Sequence, residues 1–225
     1  FYALSYAKPL GIFAGNALLT ESKELASLDA LMVLSPERIS ICRKSRKDCG
    51  CDFSGEGSSM VVTRLSKTAF VAAIAFFATL VSFGNITDYG SNFAFVQHVL
   101  LMDTIFPDAT IKYRAIDSNF LHNAGYILII AAETVTAILC WIGAFAMLGR
   151  LGGDAGSFNR SKKWAIAGLS LGFLVWQVGF MSIGGEWFGM WMSSTWNGIE
   201  SAFRFFITII AVLIYVVLPD GEIEK

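Results

Sequence analysis

The sequence predicts an all-α fold: a polytopic membrane protein built as an antiparallel four-transmembrane-helix bundle, with an outer-face interfacial helix between helices 1 and 2. Three observations predict it. The chain has 225 residues, 55% of them hydrophobic and 16% charged, where ordinary soluble domains carry about 25% charged residues. The apolar residues gather into four long runs, at 69–83, 124–148, 164–183 and 203–218, with polar segments between them. Lys and Arg cluster before the first run and between the second and third, the kind of bias that orients a chain in a bilayer. The net charge of −1 offers no basic footprint, so nucleic acid is not an expected partner.

Residues 1–59 differ in character from the rest of the chain. Their longest apolar stretch, LDALMVLS, is far too short to span, and RKSRKDCGCDFSGEGSS is a basic patch followed by small residues, expected to be disordered. MVVTRLSKTAF then offers Met60, two bases and a hydrophobic helix. The expectation is that Met60 is the native initiator and that 60–225 is the membrane domain, the upstream extension standing outside the fold. Cys42, Cys49 and Cys51 lack the second ligand pair that zinc frameworks use. They are read as unpaired thiols, and no metal or cofactor is expected.

Helix 1 is expected at about 65–85. Crossing the hydrocarbon takes about 20 residues, which this run reaches with its interfacial flanks. Ala72, Ala75, Thr79 and Ser82 recur at nearly helical spacing, and small side chains are what let helices approach closely in lipid. The stretch SNFAFVQHVLLMDTIF is apolar around most of a helical wheel, with Gln97 and His98 on a narrow polar strip. It is expected in the outer interface, broken at Pro107. Helix 2, about 121–149, aligns Ala132, Thr136 and Gly143 and includes Cys140, read as a small buried hydrophobe. Helix 3, about 164–183, carries Gly168 and Gly172 four apart, with Gly179 beyond. Helix 4, about 199–218, opens on Asn197-Gly198-Ile199-Glu200, a capping-box pattern.

The loops orient the bundle. Arg64 and Lys67 precede helix 1, and Arg150, Arg160, Lys162 and Lys163 separate helices 2 and 3. Asp88, Asp103, Asp108 and Asp117 dominate the first loop, and the 3–4 loop offers Glu186 without a base. Both termini are therefore expected in the cytoplasm. Trp141 and Trp164 on one side, and Trp187, Trp191 and Trp196 on the other, suit the two headgroup layers.

Separated motifs also occur in order: NITDYGSNFAFVQHVLLMDTIFP (85–107), ETVTAILCWIGA (133–144), FNRSKKWAIAGL (158–169) and VGFMSIGGEWFGMWMSSTWNGIESAFRFF (178–206). With them the chain, from Met60 to about Asp220, resembles a bacterial family of predicted small integral membrane proteins, domain of unknown function 2165. The resemblance implies four membrane spans and an inner-membrane home. It implies no activity.

One residue stands out. Glu133 interrupts YILIIAAETVTAILCW, where leaving a carboxylate charged in hydrocarbon costs at least ~2.5–3.5 kcal/mol. Arg204 comes four residues after Glu200, the favourable order for a helical ion pair. At ~1.5 Å rise per residue, Arg204 lies roughly 10 Å and Glu133 about 18 Å from the same surface. The expectation is one buried cluster of Glu133, Arg204 and Glu200, with Gln177 at similar depth. His98, His122, Asp88, Glu186 and Trp187 are the outer-face polar candidates, the two histidines being read as surface or capping groups.

The chain shows no nucleophile–base pair, metal cluster or phosphate loop, so catalysis is not expected. The first reading is a non-enzymatic accessory, assembly or scaffold component whose partners are the lipid bilayer and other membrane proteins. The alternative is a small transporter or proton/ion-coupled carrier using the Glu133–Arg204 cluster. A haem- or quinone-binding subunit, with imidazoles as axial ligands, stands third.

Overall fold

The computed structural model describes residues 56–223. The expectations for the segment preceding residue 56, and for Cys42, Cys49 and Cys51, lie outside the described residues. Helix α1 covers Glu56–Thr87, α2 Tyr89–Leu101, α3 Asn119–Leu148, α4 Ala155–Ser161, α5 Lys163–Leu174 and α6 Ile199–Val217. Short 3-10 turns lie at Thr110–Arg114 and Met190–Met192, and α5 continues as a π-helix over Val175–Trp187. Among the described residues there is no strand.

Four helices are long and apolar enough to cross a membrane: Ser59–Thr87, Asn119–Leu148, Ala155–Trp187 and Ile199–Val217. Their surfaces explain the composition. Phe76, Leu80 and Phe83 on α1, and Leu128, Ile138 and Phe145 on α3, are exposed, an arrangement that costs free energy in water and none in lipid. The core between the spans gathers Val71, Ile74, Cys140, Leu169, Trp176, Ile209 and their neighbours.

Contacts fix the sense of α3 and α6 relative to α1. Trp141 Nε1 donates to Thr79 Oγ1, Ser82 meets Thr134, and Tyr126 reaches the carbonyl of Asn85. Climbing α1 therefore means descending α3. Phe77 packs on Phe205, and Ser66 bonds Tyr215 at 2.7 Å, so α6 descends along α1 as well.

Small residues set the closest approach, between α3 and α5. A Cβ on Gly143 would stand 2.6 Å from Ala165 Cα, one on Gly168 2.7 Å from Cys140 Sγ, and one on Gly172 3.0 Å from Thr136 Cγ2. No side chain larger than hydrogen fits at the first two without backbone displacement. Gly179 has nothing within 4 Å and plays no such part.

Three boundaries differ from expectation. α1 begins at Glu56 and not near 65, because its polar first turns find partners: Thr63 Oγ1 bonds Ser59 O, and Arg64 and Lys67 bond the C-terminal tail. α2 stops at Leu101, five residues short of Phe106, where Met102 takes a left-handed cap conformation at φ 51° and its N–H reaches Val99 O. The third span changes to π geometry at Val175, in the stretch that holds Gly179, Gly184 and Gly185. π-helix is rare, and its usual single-turn form is frequent at functional sites.

At the end of the bundle beyond Thr87, α2 lies against α3. Tyr89 packs on Tyr126 with ring centroids 4.7 Å apart and donates to Asn123. Met102, Ile105 and Phe188 form a second small core there, closed by Ile111 and Met192. Gly189, at φ +64°, makes the turn into this cap. At the opposite end, α4 and residues 219–223 close the bundle.

Candidate functional site

The polar residues of the spans separate into three places. The first is a seam between α1 and α3. Buried positions on α3 include Tyr126, Glu133, Cys140 and Met147, one every seven residues, so Glu133 shares the inward stripe. Its Oε2 accepts from Asn85 Nδ2 at 2.7 Å, and the Asn85 carbonyl accepts from Tyr126 Oη at 3.1 Å. One turn along, Ser82 and Thr134 share a hydrogen bond of 2.6 Å.

Glu133 is 4% exposed and its Oε1 has no hydrogen-bond partner among the described residues. With Thr136 it lines a cavity of about 10 Å3, otherwise walled by apolar groups including Ile74, Phe77, Trp176 and Ile209. That is room for about one water molecule. Val175, the first π residue, is part of the same wall.

The second place is the outward face of α6, and it corrects the predicted cluster. Arg204 does not reach Glu133; it pairs with Glu200 at 2.5 Å, and the two side chains are 55% and 81% exposed. The reason is azimuth. Ala202, Ile209 and Val216 are the buried residues of α6. A helix turns by about 100° per residue, which puts Arg204 roughly 200° round from Ala202, on the opposite face. Depth was compatible; direction was not. Glu200 bonds Arg204 and does not fold back as a capping box would, while Asn197 Oδ1 does accept from Ile199 N at 3.1 Å. Gln177 is half-buried on the π segment, where its backbone carbonyl accepts from Ser182 Oγ.

The third place was not foreseen. Arg64, Lys67 and Lys162, read as interfacial charges, are all buried. Both lysine ammonium groups bond Asp220 Oδ2, Lys67 at 2.9 Å, and both also bond Leu218 O. Asn159 bonds Lys162 and both the amide and the carbonyl of Asp220. Arg64 holds the carbonyls of Leu151, Gly153 and Gly221 and lies 4.8 Å over the Phe158 ring. Pro219 ends α6 so that the tail can turn across the bundle and supply these acceptors. The sequence signal was Pro219-Asp220 directly after the last span, the first acid of the tail facing the bases at that end.

The outer-face candidates do not gather into one site. His122 is 1% exposed, which corrects the surface reading; its ring Nε2 lies 2.7 Å from Ile116 O and Nδ1 has no partner among the described residues. His98 is engaged separately, by Asp103 at 2.7 Å and by Trp196, which stacks on it at 4.6 Å. Trp187 receives Arg114, both on its carbonyl and over its ring at 4.6 Å. Glu186 and Asp88 are exposed, Asp88 preceding α2 and accepting Asn92 on its carbonyl.

Residues 63–219 match the family described as predicted small integral membrane protein (DUF2165). The chain belongs to that family. No curated protein and no solved structure matches the chain. The family description and the four apolar spans agree: this is an integral membrane protein. The matched region begins within α1 and ends at Pro219, so it takes in the α1–α3 seam and the α6 face, and stops one residue short of Asp220.

Proposed function

We propose that the protein is a non-enzymatic accessory, assembly or scaffold component of the bacterial inner membrane, working by lateral contact with other membrane-embedded chains. One observation carries the reading: the last span is the least covered, 17% buried against 28–33% for the other three, and its open face presents Glu200 and Arg204. Ionisable side chains within spans nearly always face a protein interior, a partner or water. A face with both charges outward is shaped for a neighbour. The lysine- and arginine-rich loops favour a cytoplasmic side for both termini, and α2, apolar around most of its surface, then lies along the outer interface.

The test is a photo-crosslinking residue at position 208, one turn below Arg204, in native membranes, with the lipid-facing position 142 on α3 as control. The reading expects protein adducts from 208 and lipid adducts from 142. Lipid adducts alone at both positions would contradict it.

A proton- or ion-coupled carrier is the second reading. It is favoured by the free Oε1 of Glu133 against a water-sized cavity, with Arg204 taking no part. Reconstituted liposome flux that Glu133→Gln abolishes would support it, and flux unchanged in that variant would remove it.

A further inference from the structure

We infer that the neighbour seated on α6 is a second copy of this chain, related by a two-fold axis along the membrane normal. This rests on the reading of α6 as a docking face. Height along the span is the first consideration. Glu200 and Arg204 are one helical turn apart, about 6 Å along the axis. Yet Arg204 Nη2 lies 2.5 Å from Glu200 Oε1, so the guanidinium already stands at the level of the carboxylate. Both groups remain largely exposed and retain open valences toward the outside: the carboxylate accepts further donors, and the guanidinium has five N–H groups to place.

A two-fold axis parallel to the spans brings equal heights together. Two carboxylates and two guanidiniums then meet in one layer, where opposite charges alternate around the contact. The surface is complementary to itself, as an isologous interface requires. A single-sign patch would need a partner of the other sign; this patch needs only its own copy. Below the charged layer the same stripe continues with Thr208 and Ala211, both exposed. Thr208 Oγ1 is satisfied by Arg204 O, so it packs without an unpaired donor. Small and hydroxyl-bearing residues of this kind line helix–helix contacts in lipid. Phe203, Ile207 and Ile214, exposed at 50%, 45% and 60%, lie along one side of the stripe and supply apolar contact there.

The experiment co-expresses two differently tagged full-length copies, each with the crosslinking residue at position 208, and reads the fraction of adduct carrying both tags. The native pair gives a doubly tagged adduct. Glu200→Arg alone sets four guanidiniums in one layer and lowers that adduct by about tenfold, the ratio that 1.4 kcal/mol of lost contact produces. Glu200→Arg with Arg204→Glu restores alternation and recovers the adduct. Unchanged elution and thermal unfolding of each variant in detergent show that the fold survives, both residues being exposed.

A double variant as weak as the single one, with its fold intact, overturns the two-fold charge match. Adducts that contain a different protein and never both tags overturn the second copy as occupant and leave the docking face standing. Absence of any protein adduct removes both inferences together.

Discussion

At the level of single residues, Glu133 and Asp220 meet the same problem in different ways. Glu133 has one amide donor, Asn85, and a free oxygen against a small cavity. Removing that donor leaves the carboxyl with nothing, and an unsatisfied buried polar group costs about 1–3 kcal/mol. Asn85→Leu is therefore expected to lower stability by that amount, read by denaturant unfolding in detergent. Asp220 instead holds two buried ammonium groups at once. Asp220→Ala removes the counter-charge of both and leaves them neutral acceptors alone, and breaking a buried pair costs about 3–5 kcal/mol. The same titration should show it as the larger loss. A variant as stable as the native chain would mean that the lysines find water when the tail is altered.

At the level of helices, close packing is the feature the sequence disclosed best. Gly143, Gly168 and Gly172 were legible as small residues in a membrane helix, where a larger group at the contact would hold the backbones apart. Gly143→Ala pushes a methyl into Ala165, and overpacking of this kind costs about 1–3 kcal/mol. Gly179→Ala, with open space around it, should change stability by less than about 0.5 kcal/mol. Thermal unfolding of the two variants side by side checks the pair. Equal effects would place the α3–α5 contact elsewhere. The π segment was not legible, since its composition is that of an ordinary apolar helix with glycines. The end of α2 was missed for a related reason: Met102 adopts a cap conformation that its side chain does not advertise.

At the level of the molecule, the number of spans was legible because hydrocarbon thickness fixes the length of an apolar run. The charge partners were legible only in part. Sequence position gives depth along a helix directly, and depth alone let Glu133 and Arg204 be paired. Azimuth needed the buried set Ala202, Ile209 and Val216, which a uniformly apolar helix conceals. Arg64, Lys67 and Lys162 were assigned to the right end of the bundle, yet their burial depends on a tail that folds back, a tertiary fact. Orientation gives a further prediction. Single cysteines introduced at positions 108 and 163, in a chain lacking its four native ones, should react with a membrane-impermeant maleimide from opposite sides, position 108 from the periplasm. Labelling of both from the same side would break the four-span topology.

The central claim is that the buried carboxyl of α3 belongs to the α1 seam and the arginine of α6 to the open surface. Two double-mutant cycles on the detergent-dispersed monomer measure this directly, one on Asn85 with Glu133 and one on Glu133 with Arg204. The account predicts a coupling of about 1 kcal/mol or more in the first, as for residues in direct contact, and none beyond about 0.5 kcal/mol in the second. Strong coupling between Glu133 and Arg204, with none to Asn85, would contradict it.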